Sequence, residues 1–195
     1  MTDARRYSAV AMTLHWLIAA MLIANVGLGW VGGDMEGGEQ KIQLMQLHKT
    51  MGISILLLSL ARLAWRLTHR PPVMNSHLKA WEKALAHIVH WGFYVVMIGL
   101  PLSGWAMTSA SPVIKIYPIS FWGLFDWPAI GFISDLPRDQ AKSIGQAFGL
   151  GHDVLAKALV YVLFPLHVLG ALKHQFLDKD GELGRIIPFL PPPKA

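Results

Sequence analysis

The chain has 195 residues, 53% of them hydrophobic and 15% charged, with a formal net charge of +5. A soluble domain of this size carries about 25% charged residues, so the composition speaks for a helical membrane protein. The absence of cysteine excludes disulfides, thiolate metal sites, iron–sulfur clusters and covalently attached c-type haem, and leaves His, Met and Tyr as the available haem ligands.

Four segments are long enough to cross a bilayer, which takes about 20 mostly apolar residues. The first, 9–31, is too long and too well continued for a cleaved signal peptide. A glycine-rich, acidic outer loop, 32–45, comes next with Asp34, Glu36 and Glu39. The second span is 46–67. Behind it Arg70-Pro71-Pro72 cannot continue a helix, because proline lacks the backbone donor. The third span, 85–109, contains Pro101. The stretch 110–151 places Tyr117, Phe121, Trp122, Phe125, Trp127 and Phe132 among prolines and glycines. Such aromatics suit the headgroup level, so the expectation is an outer loop lying on the membrane, with a lid or docking surface as the alternative. The fourth span, 152–176, contains Pro165, and prolines end the chain over 188–193.

The basic residues divide unevenly between the two sides. Arg5, Arg6, Arg62, Arg66, Arg70, Lys79, Lys83, Lys173, Lys179, Arg185 and Lys194 share the side of the termini. Lys41, Lys49, Lys115, Arg138, Lys142 and Lys157 lie on the other. The positive-inside rule places both termini in the cytoplasm. The charge reads as a topology signal, and nucleic acid is not an expected partner. The expected fold is all-α, one membrane four-helix domain spanning 1–195.

Seven of the nine histidines fall in or at the ends of the four spans, His174 among them at the end of the fourth. Ionisable groups within a membrane are costly and mark function. His152 and His167 share the fourth span, about 22 Å apart along a straight helix and rotated by only about 60°. Two stacked histidine levels suggest two stacked redox cofactors. A bis-histidine haem needs two imidazoles at one depth on facing helices. His48 and His152 lie near the outer entrances of spans two and four. At the inner level His15, His87, His90 and His167 compete for two places. A porphyrin lying along a helix needs a small residue about one turn from its ligand. The i+4 position is Ala19, Gly52, Ala156 and Ala171 for His15, His48, His152 and His167, but Trp91 and Tyr94 for His87 and His90. This favours His15 with His167.

Arg62 and Arg66, one turn apart at the inner end of span two, suit haem propionates or lipid phosphate reached by snorkelling. His87 and His90 are candidate quinone contacts at the inner level. Lys49 and Lys157 are candidate contacts for an anionic donor at the outer level. His69, His77 and His174 are expected to be solvated. The reading from another class is a non-redox helical scaffold or transporter that uses histidine for packing or proton transfer.

The chain resembles the bacterial dihaem cytochrome b561 family, related to the cytochrome b subunits of hydrogenases and formate dehydrogenases. The resemblance rests on Leu14-His15-Trp16-Leu17, on Leu47-His48-Lys49-Thr50-Met51-Gly52 with Arg62-Leu63-Ala64-Trp65-Arg66 after it, and on Ala86-His87-Ile88-Val89-His90. It continues in Phe125-Asp126-Trp127-Pro128, Gly151-His152, Leu166-His167 and Ala171-Leu172-Lys173-His174-Gln175-Phe176. It implies a four-helix bundle in the bacterial inner membrane with two b-type haems, ligated by His15, His48, His152 and His167. It further implies electron transfer between an outer donor, superoxide among the candidates, and ubiquinone. The alternative role is an anchor subunit that passes electrons from a partner dehydrogenase to quinone. The family usually spaces the two histidines of helix four by fourteen residues and this chain by fifteen, so a bulge near Pro165 is expected to absorb the extra residue.

Overall fold

The computed structural model describes residues 6–69, 71–72 and 79–191. Arg5, Arg70, His77 and Lys194, all named above, lie outside them. The described residues form four long helices, each apolar enough to cross a membrane by length and composition. We call the end holding Tyr7 and Leu190 inner and the opposite end outer.

Helix α1 is Ala9–Asp34. Its first turn is capped by Ser8, whose Oγ accepts from the Ala11 amide, satisfying one of the donors a helix start leaves free. Helix α2 is Glu39–Thr68 and α3 is Ala80–Ser109. The start of α3 is closed by Glu82, whose Oε2 accepts from the Lys79 amide at 2.9 Å. These helices begin or end several residues beyond the expected spans. The outer loop expected over 32–45 is reduced to the four residues between Asp34 and Glu39.

The segment 110–151 differs most from expectation. After a 3₁₀ turn, Pro112–Lys115, strands β1 (Ile119–Phe121) and β2 (Phe125–Trp127) pair antiparallel. The turn between them has positive φ at Trp122 (51°) and Gly123 (72°), the geometry that matches hairpin twist. Glycine accepts that geometry freely, and Trp122 is held in it by α2. The Trp122 amide donates to Thr50 Oγ1 and its indole to Ser54 Oγ, each at 2.9 Å. Gln46 Nε2 donates to Pro118 O at 2.7 Å and Trp105 Nε1 to Pro128 O at 2.8 Å. The aromatic loop is therefore a hairpin docked on α2 and α3.

A short helix, α4 (Gly131–Ser134), precedes the fourth long helix, which starts at Arg138 and not at 152. Its first turns carry Arg138, Asp139 and Lys142 on one side and Ile144 and Phe148 on the other. That amphipathic pattern is helical but too polar for a membrane window. The helix runs as α5 (Arg138–Ala158), a π-helical turn (Leu159–Leu163), α6 (Phe164–Leu172) and a second π-helical turn (Lys173–Asp178). Its lipid-facing sides stay exposed, as shown by Tyr161, Leu169, Phe176 and Leu177.

The interior is built on α1, α2 and α3 around Ile18, Ile55, Tyr94 and Met97, with α3 and the fourth helix closing around Val96, Leu100 and Leu159. The segment 185–190 crosses beneath the start of α1. The Tyr7 amide donates to Arg185 O, Arg6 donates to the carbonyls of Pro188 and Leu190, and Trp16 Nε1 donates to Ile186 O at 3.0 Å.

Candidate functional site

At the outer level α2 and the fourth helix bring His48 and His152 together, with ring centroids 6.2 Å apart. An imidazole–metal bond is about 2 Å. Two such bonds and the half-widths of two rings place opposed axial ligands on the order of 6 Å apart between centroids. Each ring is oriented through Nδ1. His48 Nδ1 lies 3.1 Å from Asn25 O, and His152 Nδ1 lies 2.9 Å from Leu100 O and 3.1 Å from Ser103 Oγ. A proton donated from Nδ1 to a carbonyl leaves Nε2 as the free lone pair, the usual second contact of a ligating histidine.

Glycines supply the space for these rings. A Cβ at Gly29 of α1 would stand 3.0 Å from the His48 ring, and one at Gly104 of α3 would stand 3.2 Å from the His152 ring. A Cβ at Gly52 would meet Asn25 Nδ2 at 3.6 Å, an ordinary contact. At 100° per residue, positions 48, 52, 55, 59, 62 and 66 of α2 fall within about 40° of one line, so His48, Gly52, Arg62 and Arg66 share the face that looks into the bundle.

At the inner level His15 and His167 have ring centroids 6.1 Å apart. His90 stands 5.6 Å and Phe93 5.2 Å from the same His167 ring. Of the four inner candidates the fold gathers three. His87 is exposed, its Nδ1 donating to Lys83 O at 2.8 Å on its own helix. Among the described residues His15 Nδ1 is buried with no hydrogen-bond partner, a cost that a ligand or a propionate at this level would remove. Arg62 lies close enough to act electrostatically on His15, His90 and His167. It sits 6.0 Å from the Tyr94 ring, and Arg66 sits 5.9 Å from the rings of Trp91 and Tyr94. Among the described residues neither guanidinium meets a carboxylate, so both are open to an anionic group on the inner face of the bundle.

The two levels are joined along the fourth helix by the π-turn Leu159–Leu163. Such a turn takes up about one extra residue. Fifteen residues from His152 to His167 therefore wind about as far as fourteen would in a regular helix. The bulge expected near Pro165 lies immediately before it and lets both rings face the bundle.

The candidate donor contacts differ from expectation in one respect. Lys157 Nζ is 2.6 Å from Asp153 Oδ2, one turn earlier, and both are exposed. Its charge is therefore largely offset. Lys49 is half-buried with no ion pair among the described residues. The sequence reading missed Asn25, Leu100 and Ser103, which orient the outer rings. The available signal was a lone Asn in α1 and a lone Ser beside Pro101 within otherwise apolar stretches. His174, expected to be solvated, is mostly buried and paired with Asp178 and Asp180.

Paired imidazoles, half-buried guanidiniums that meet no carboxylate among the described residues, and glycines against the outer rings suit b-type haem. Comparison with known proteins points the same way. The family model described as prokaryotic cytochrome b561 matches residues 6–189. The chain is 29% identical to cytochrome b561 homolog 2 of Escherichia coli over 185 residues, 93% of this chain and 91% of that protein. It is 26% identical to the probable superoxide oxidase CybB of Yersinia pestis over 187 residues, 94% of this chain and 97% of that protein. It is 25% identical to cytochrome b561 homolog 1 of E. coli, again over 187 residues, 94% and 97% of the two chains. The chain belongs to the prokaryotic cytochrome b561 family, membrane electron-transfer proteins that bind b-type haem.

Proposed function

We propose that this chain carries electrons through two b-type haems, from an anionic aqueous donor at the outer face to a membrane quinone at the inner face. His48 and His152 hold the outer haem, with Gly52 giving it room along α2. His15 and His167 hold the inner one. Arg62 and Arg66 receive propionates. Both termini lie in the cytoplasm. The observation that carries this reading is the recurrence of one geometry at two depths, imidazole pairs 6.2 Å and 6.1 Å apart. With His48 and His152, and His15 and His167, as its holders, haem would supply one-electron carriage there, and imidazole on both sides would favour outer-sphere transfer over oxygen binding.

This chain's residues do the rest. The carbonyls of Asn25 and Leu100 hold the outer rings in the ligating tautomer. Lys49 adds local positive charge at the outer entrance, which suits superoxide, the substrate named for the Yersinia relative. At the inner end His90 and His87, with Trp91 and Tyr94, supply polar and aromatic groups for a quinone ring in an otherwise apolar wall. The anchor-subunit reading differs only in the donor.

The test is a haem count with paired substitutions. A pyridine haemochrome assay is expected to give two haems per chain, all extractable by acid acetone. His48→Ala and His152→Ala should remove one spectroscopic component, and His15→Ala and His167→Ala the other. If His90→Ala removes a haem and His15→Ala does not, the inner pair is His90 with His167. A single haem per chain ends the two-haem reading.

A further inference from the structure

Asn25 serves the outer histidine level with its backbone and leaves its side chain unused. Its carbonyl accepts from His48 Nδ1 at 3.1 Å. The residue is 8% exposed, and among the described residues its carboxamide Oδ1 is buried with no hydrogen-bond partner. Around it Met21, Leu22 and Val26 of α1 pack into the apolar clusters built on Ile18 and Ile55 and on Val96, Leu100 and Leu159. A polar group left unmet in such an interior is expensive, and within a membrane span it points to function.

Hydroxyls on the neighbouring helices have a local way out. Ser54 Oγ donates to Thr50 O at 3.0 Å, Thr108 Oγ1 to Gly104 O at 2.7 Å and Ser109 Oγ to Trp105 O at 2.8 Å, the turn-back bond open to a helical Ser or Thr. Ser59 Oγ, also without a partner among the described residues, needs only a rotation about χ1 to make it. The Asn25 oxygen can only accept. The backbone amides of a helix interior are committed to their own ladder, so α1 offers it no donor.

The other end of the carboxamide has a direction. A Cβ at Gly52 would stand 3.6 Å from Asn25 Nδ2, while Oδ1 stays beyond 4 Å of that point. Gly29 lies against the His48 ring, and Asn25 and Gly52 are each one turn, about 6 Å, further inward on their helices. The N–H end of the amide therefore meets the inward-looking face of α2 just inside the outer pair, and about 15 Å of helix separates it from His15. An amide dipole that no partner offsets acts at full strength in a low-dielectric interior. Reduction adds one negative charge to a haem, so a positive dipole end beside it favours the reduced form. Resting on the reading of His48 and His152 as ligands of an outer haem, we infer that the Asn25 side chain sets that haem's reduction potential, holding it above the value that the two imidazoles alone would give. An outer haem that takes up an electron more readily suits a donor arriving from the outer face.

The experiment is a redox titration of the purified holoprotein, with absorbance for the midpoints and electron paramagnetic resonance of the oxidised haems for ligand geometry. The outer component is the one that His48→Ala removes. Asn25→Leu nearly matches the shape of the side chain, keeps the carbonyl that orients His48 and removes the dipole. At the potential where the wild-type outer component is half reduced, its reduced-to-oxidised ratio should fall about threefold or more. The inner midpoint and both resonance signatures should stay as in the wild type. If Asn25→Leu takes up no outer haem, Asn25→Ala decides, with the same fall expected. An unshifted outer midpoint, or a shift toward easier reduction, overturns the inference. A changed outer resonance signature overturns it too, because Asn25 then acts by orienting the His48 ring. Loss of the outer haem in both variants makes the residue structural and has the same consequence. A wild type whose haem components all survive His48→Ala overturns the outer-haem reading, and this inference with it.

Discussion

The outer histidine pair is oriented by residues whose side chains carry no charge. Asn25 contributes its backbone carbonyl to His48, Leu100 its carbonyl to His152, and Gly29 and Gly104 contribute the absence of a Cβ. The paired histidines themselves were legible in the sequence because an imidazole in an apolar helix has few inexpensive explanations. Their supports were not, since a carbonyl belongs to every residue and a glycine in a membrane helix is common for packing alone. Gly52, singled out one turn from His48, has ordinary room around it, and the tight approach is at Gly29 across the helix interface. Gly29→Leu should therefore push the His48 ring out of line and remove the outer haem component, whereas Gly52→Ala should retain it. Reduced-minus-oxidised spectra of the two variants check this, and an intact outer component in Gly29→Leu would contradict the close approach.

At the level of elements, the four spans were legible because each offers an unbroken apolar run, but their ends were not. The first half of the fourth helix, 138–151, is as helical as the second, yet its alternation of polar and apolar faces hides it from a membrane-length window. The hairpin at 119–127 was hidden for a different reason. Three-residue strands carry almost no periodic signal, and this pair depends on tertiary hydrogen bonds to Thr50 and Ser54. The π-turn Leu159–Leu163 was legible only as a misfit in spacing. It leads to a sharp expectation. Deleting the half-exposed Val162 should convert the turn to regular helix, bring the spacing to fourteen, and leave both haems bound. Inserting one alanine there should rotate His167 by about 100° and cost the inner haem alone. Haem stoichiometry of the two variants is the check, and loss of the inner haem on deletion would show that the π-turn does not absorb the extra residue.

Across the whole molecule the charge is distributed by side more than by total. On the proposed cytoplasmic side eleven basic residues face five acidic ones, and on the proposed outer side six basic face seven acidic. The outer face thus has no excess of positive charge to draw an anion from a distance, and any attraction must act within about 10 Å at moderate salt. Of the two lysines expected there, Lys157 is paired with Asp153 at 2.6 Å, while Lys49 sits one position from His48 with no ion pair among the described residues. The two should therefore behave differently. Lys49→Glu should slow haem reduction by superoxide several-fold, on the order of fivefold at low ionic strength, with the gap narrowing as salt is added. Lys157→Glu should have a smaller effect, because Asp153 already offsets its charge. Neither change should alter re-oxidation of the haems by quinone at the inner end. Pulse reduction at two ionic strengths separates the cases. Equal slowing by both variants would show that the Asp153 pair is open in solution, and no slowing by Lys49→Glu would remove local electrostatics from the account of donor access.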